Sequence, residues 1–128
     1  MGLFDKIFSS NSSGDKEESA IVWRALVNED QLHDIVEASN EKAQAIFKHS
    51  TRCGISRMVL SQFEKSFKAE TEIDMYMLDL LNHRNISNAI ASKFNVHHES
   101  PQLLIIKNGE VVRTASHGDI NSVDLLAF

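Results

Sequence analysis

Phe47-Lys48-His49-Ser50-Thr51-Arg52-Cys53-Gly54-Ile55-Ser56 ends an apolar run, holds the single cysteine of the chain and opens an amphipathic segment. It reads as strand, reactive-thiol turn, helix. Ile55, Val59, Phe63 and Phe67 recur every fourth residue beyond the turn, with Met58 and Leu60 widening the same face, so one side of this helix is expected to meet a core. Thr51 is the expected N-cap, which sets Cys53 in the first turn, where unpaired amide donors and the positive end of the helix dipole favour an anion. A thiolate is such an anion. Arg52 adds positive charge beside it, and Gly54 removes bulk from the side a partner sulfur must approach. The bland alternative is a small buried hydrophobe, the commonest role of a lone cysteine, and its placement in a turn argues against that.

Working outward, the chain has 128 residues, 42% of them hydrophobic, which suits one domain with a proper core and not two ordinary ones. The net charge is -5, and the 13 Lys and Arg are scattered instead of forming a basic stripe, so a nucleic-acid partner is not expected. One cysteine makes no internal disulfide. Any disulfide chemistry is therefore intermolecular, which fits a reducing compartment and excludes a stapled secreted scaffold. No signal peptide or membrane span is recognised: the apolar start is short and contains Asp5 and Lys6, so the expected location is cytoplasmic. Residues 1–20 read as an N-terminal arm, with Leu3, Phe4, Ile7 and Phe8 on one helical face, followed by a polar linker from Ser9 to Ser19. The folded domain is expected over 21–128.

Within that domain, Ile21, Trp23 and Ala25 alternate as a short first strand. Asn28 and Gln31 have capping-box spacing, and Leu32, Ile35 and Val36 continue a helix from about Glu29 to Ser39. Ala43 to His49 reads as a buried central strand. From Glu72 to Leu81, Ile73, Met75 and Met77 fall on one face and Tyr76, Leu78 and Leu80 on the other, the pattern of a strand covered on both sides. Asn85 is the expected cap of a third helix whose Ile86, Ala89, Ile90 and Phe94 face inward. Leu103 to Ile106 then turns at Asn108-Gly109 into Glu110 to Thr114, a strong hairpin signal. Asp119 to Phe128 reads as a short final helix.

The resulting order β-α-β-α-β-α-β-β-α, parallel at the start and antiparallel at the end, is the α/β plan of thioredoxin-like proteins, a central mixed sheet flanked by helices. Pro101, the only proline, stands directly before the first hairpin strand, where that fold carries a cis-proline facing the helix-start cysteine. A cis Ser100-Pro101 bond is expected, with the Ser100 backbone free to hold an extended thiol ligand by strand-like hydrogen bonds.

At these residues the chain resembles the monothiol bacilliredoxins of the bacillithiol system. The shared features are Phe47-Lys48-His49-Ser50-Thr51-Arg52-Cys53 followed by Ile55-Ser56, then Val96, His98-Glu99-Ser100-Pro101-Gln102, Asn108-Gly109, and Ala115-Ser116-His117 with Ile120. The chain departs at Gly54, where the family usually has proline, and at Gly118, where an aromatic is expected. The resemblance implies removal of bacillithiol, or a similar low-molecular-weight thiol, from client proteins that carry it as a mixed disulfide. Cys53 would be the catalytic thiol, with Thr51, Arg52, Gly54, Ser100 and Pro101 contacting substrate. The low-molecular-weight thiol is then a co-substrate, and no tightly bound cofactor or metal is implied.

Two other function classes fit parts of the sequence. Cys53-Gly54-Ile55-Ser56 is similar to the Cys-Gly-Phe-Ser motif of monothiol glutaredoxins, which bridge an iron-sulfur cluster across a dimer; their paired glycines after the hairpin are missing here, where Gly118 stands alone. A redox-inactive thioredoxin-like interaction domain is the other, favoured by Gly54 and the apolar arm. A metal site built from His49, Cys53, His97 and His98 has ligand-competent residues but no recognised spacing. His98 and His117 are expected to line the groove beside the thiol, and Ser56 either bonds the Cys53 thiolate or caps a local amide.

Overall fold

The computed structural model describes residues 21–128, and the expected arm and linker over 1–20 lie outside them. Five strands form one sheet: β1 (Trp23–Ala25), β2 (Gln44–His49), β3 (Asp74–Asp79), β4 (Gln102–Lys107) and β5 (Glu110–Ser116), in the order β1-β3-β2-β4-β5. β3 pairs in parallel with both β1 and β2, while β4 runs antiparallel to β2 and β5. The mixed sheet follows from the connections. α1 (Asp30–Ala38) and α2 (Gly54–Ser66) are crossovers between parallel strands, and Asn108 and Gly109, with φ of 53° and 79°, close the two-residue turn that a tight hairpin needs.

Strand alternation divides the core in two. Ala45 and Phe47 of β2, Met75 of β3, and Leu103 and Ile105 of β4 meet Val59 and Phe63 of α2, together with Ile120 and Leu125. On the other face Ile46, Tyr76, Leu78, Leu104 and Ile106 meet Leu32 and Ile35 of α1 and Ile86 and Ile90 of α3 (Arg84–Phe94). β2 is buried along its whole length, as its central place requires. Trp23, Phe47 and Phe63 form an aromatic cluster with ring centroids 5.4 to 6.2 Å apart, and Trp23 Nε1 donates to Glu64 Oε2 at 2.8 Å. These contacts bind the C-terminal half of α2 to the sheet, and Val59 and Ser56 continue the buried line toward Cys53.

Half of the expected capping box forms, Gln31 Oε1 accepting from Asn28 N; Asn28 Oδ1 accepts from Asp30 N instead of Gln31 N, and Glu29 stands at the N-cap without a side-chain capping bond. Three local expectations are corrected. Asn85 is inside α3, where its side chain donates to Glu29 Oε2 at 3.0 Å; His83 stands at the N-cap, without a side-chain capping bond. The tail is not one helix but two 3₁₀ turns, His117–Ser122 and Leu125–Ala127, broken by extended Val123; Ile120 and Leu125 still reach the core. On α2, Ile55 and Met58 are 55% and 54% exposed, and the buried line instead begins at Ser56 and continues through Val59 and Phe63. A polar residue thus holds the inward position nearest Cys53, which a count of apolar residues passes over.

Candidate active site

The chain leaves β2 at His49 and makes a tight turn before α2. Cys53 N donates to Ser50 O at 3.2 Å, closing the turn around Thr51 and Arg52, both exposed. Cys53 is extended, φ -100° and ψ 122°, and its carbonyl accepts from Arg57 N at 3.0 Å, so it is the N-cap of α2 and Gly54 the first helical residue. The expected N-cap at Thr51 is thereby corrected: the 50–53 turn uses the amide that an earlier helix start would need. Thr51 O instead accepts from Arg57 Nη1 at 3.3 Å. Cys53 remains a free thiol, partly buried, and its side chain makes no capping bond. Gly54 is exposed, with open space where a Cβ would stand.

The Ser100–Pro101 peptide bond is cis, and Pro101 is buried. Lys48 of β2 pairs with Gln102 of β4, so the register carries Pro101 to the level of His49, beside the turn that ends at Cys53. Pro101 O accepts from His117 N at 3.0 Å, and His117 takes a left-handed φ of 54°, tying the start of the C-terminal segment to the proline. Ser100 Oγ is buried and without a hydrogen-bond partner. Topology therefore gathers the turn of Thr51, Arg52, Cys53 and Gly54 and the cis pair of Ser100 and Pro101 at one end of the sheet.

Two polar pairs lie beneath this end, and in the first Ser56 takes the second of its two expected roles, accepting from a local amide. Ser56, completely buried, accepts from Ser50 N at 3.1 Å, and its Oγ lies 2.7 Å from His49 Nδ1. Burial lowers the pKa of His49, against the charges of Asp79 and Glu64, which raise it. On the opposite face Lys48 is wholly buried, with Nζ 3.2 Å from His98 Nδ1; Ser87 Oγ is also 3.2 Å from that nitrogen. Burial pushes the Lys48 ammonium down to about 8, and burial followed by the charge of Lys48 lowers His98. His98 thus shares its Nδ1 with a buried lysine and a serine, and among the described residues no side chain hydrogen-bonds Cys53. The signal for both pairs was present as polar residues at inward positions, Lys48 in an apolar strand and Ser56 on the helix. Among the described residues no group of three or more His, Cys, Asp and Glu is placed to hold a metal ion, and no helix is long and apolar enough to cross a membrane.

A cysteine at the N-cap of the helix after the central strand, with a cis-proline at the neighbouring strand start, defines a thioredoxin-fold protein with one thiol at the usual place of two. Over residues 24–125 the sequence matches the family described as monothiol bacilliredoxin BrxC. The chain belongs to that family, and so to the thiol-disulfide redox proteins. Among solved structures, one taken to be an oxidoreductase with a thioredoxin fold is 41% identical, with a TM-score of 0.69, covering 78% of this chain and 87% of its own. The thioredoxin of Malassezia sympodialis is 20% identical, TM-score 0.63, over 86% of this chain and 90% of its own. That of Fasciola hepatica is 20% identical, TM-score 0.58, over 73% and 86%. These two share the fold.

Proposed function

We propose that Cys53 removes bacillithiol, or a similar low-molecular-weight thiol, from mixed disulfides on client proteins. The observation that carries this reading is the placement of the chain's single cysteine at the N-cap of α2, partly exposed and with its side chain free of any capping bond. An N-cap side chain faces the first unpaired amides of the helix, which suit an anion. The Cys53 thiolate attacks the bacillithiol sulfur of the mixed disulfide; the client sulfur departs with the bonding electrons and takes up a proton, and Cys53 carries bacillithiol. A second thiol, either another low-molecular-weight thiol or one on a protein, then attacks the Cys53 adduct and restores the thiolate. With no second cysteine in the chain, this resolving thiol comes from outside.

Thr51, Arg52 and Gly54 lie exposed around Cys53 and are the proposed contacts for the incoming ligand, Arg52 through its charge. Ser100 offers its backbone before the cis-proline, where strand-like pairing with an extended ligand supports the same alignment. The bacillithiol-type thiol acts as co-substrate and not as a resident cofactor. The test is release of a bacillithiol-capped client protein, read as recovery of its free thiol. Wild type is expected to release it and Cys53→Ser to leave it capped; equal release by both proteins contradicts the proposal.

A further inference from the structure

Arg57 is tied to the thiol turn at both ends. Its backbone N donates to Cys53 O at 3.0 Å, and its guanidinium folds back over the first turn of α2, where Nη1 donates to Thr51 O at 3.3 Å. The residue is exposed, so it is this bond to the turn, and no packing in the core, that sets where the guanidinium lies. Thr51 is two residues before Cys53 in a turn closed by the Ser50 O to Cys53 N bond, so two Cα steps of about 3.8 Å leave the guanidinium within roughly 10 Å of Cys53. That separation suits the body of a small thiol joined to Cys53. No contact with the sulfur itself is required.

A guanidinium has five N–H donors in a planar fork and no acceptor. Thr51 O takes one of them from Nη1, and among the described residues the Nε–Nη2 edge has no partner. Nor does any carboxylate among those residues pair with Arg57 or with its exposed neighbour Arg52, although the chain has 18 Asp and Glu against 13 Lys and Arg; the ion pairs that form use Asp74 and Glu37. The open edge offers the two parallel N–H groups that a carboxylate takes bidentately.

Resting on the reading of Cys53 as the reacting thiol, we propose that Arg57 is a specificity-determining residue, which selects low-molecular-weight thiols that carry a carboxylate by a two-bond contact of its Nε–Nη2 edge. Arg52 adds charge at the same turn but has no bond that fixes its direction among the described residues. The bond to Thr51 O holds the fork of Arg57 in place before a ligand arrives, so less side-chain freedom is lost on binding. Arg57 takes no part in the exchange itself. The Cys53 thiolate attacks the ligand sulfur, the other sulfur leaves with the bonding electrons, and the guanidinium keeps its protons throughout.

The experiment compares the rates at which Cys53 reacts with two disulfide probes at neutral pH: dithiobis-nitrobenzoate, which has a carboxylate on each ring, and dithiodipyridine, which is uncharged. Each forms a mixed disulfide with Cys53 and releases its other half, read by absorbance. The quantity of interest is the ratio of the two rates, which removes any change in thiol acidity common to both. Arg57→Gln is expected to lower the ratio about two- to fivefold, the worth of an exposed ion pair, and Arg57→Lys, which keeps the charge and loses the fork, to fall between. Lys65→Gln, the same change of charge in the last turn of α2, is expected to leave it unchanged. A wild-type ratio in Arg57→Gln or in Arg57→Lys overturns the proposal, and so does an equal fall in Lys65→Gln, since net charge alone would then account for it. Neither probe contains bacillithiol or a client protein. A client that stays capped while the ratio falls in Arg57→Gln rejects the proposed substrate and leaves this inference standing; client release with an unchanged ratio rejects this inference alone.

Discussion

Lys48 Nζ lies 3.2 Å from His98 Nδ1 inside a protein in which Lys48 is completely buried, and no carboxylate bonds that ammonium among the described residues. Its pKa falls from the ordinary 10.5 to about 8 by burial. The unfolded chain thus binds this proton up to about pH 10.5 and the folded chain only up to about 8. Between those values the unfolded state holds more protons, so stability rises with pH across the window, by on the order of 1–3 kcal/mol. Denaturant unfolding from pH 7 to 10 measures this. Lys48→Met keeps the stem and removes the charge; it is expected to raise stability at pH 7 and abolish this group's part of the alkaline rise. Unchanged curves would show that the ammonium is solvated in the folded state.

Gly54 is the first residue of α2, where proline is well suited because its amide has no helical partner and its φ is already set. Cys53 before it is extended, as a residue preceding proline must be, and no atom lies within 4 Å of a Cβ at Gly54. Gly54→Pro is expected to stabilise the protein by about 0.4–1 kcal/mol through the unfolded chain. Thermal melting checks it, and a fall in Tm would show that the Gly54 amide has a necessary acceptor.

Ser39, at the end of α1, binds the distant hairpin turn twice: its carbonyl accepts from Asn108 N at 2.8 Å and its Oγ accepts from Gly109 N at 2.8 Å while donating to Val36 O. Ser39→Ala leaves the part-buried Gly109 amide without this acceptor and is expected to cost about 1 kcal/mol in urea unfolding. Alkylation of Cys53 should be unchanged, since the turn lies at the other end of β4 from Pro101.

The fold was legible because its signals are local and agree with each other. Phe47 and Ile46 point to opposite cores by strand alternation, Met75 and Leu78 do the same on β3, and Asn108-Gly109 has the chemistry its turn demands. The cis bond at Pro101 was readable once the strand order put the only proline before β4. The N-cap was misplaced because Ser50, Thr51 and Cys53 all precede the helix, and only the Ser50 O to Cys53 N bond decides among them. Ile55 and Met58 are apolar residues left outside, and Ser56 a polar one inside; periodicity assigns sides by polarity, so it inverts where a hydroxyl is matched across the core. The Lys48–His98 pair joins residues 50 apart in sequence, and pattern within one segment carries no information on such a contact.

The most direct test of the account is the intact mass of the protein after incubation with a client carrying a bacillithiol mixed disulfide and no added reducing thiol. The account predicts a bacillithiol-sized adduct on Cys53, appearing as the client is freed, and none on Cys53→Ser. A client that stays capped while Cys53 remains unmodified would contradict it.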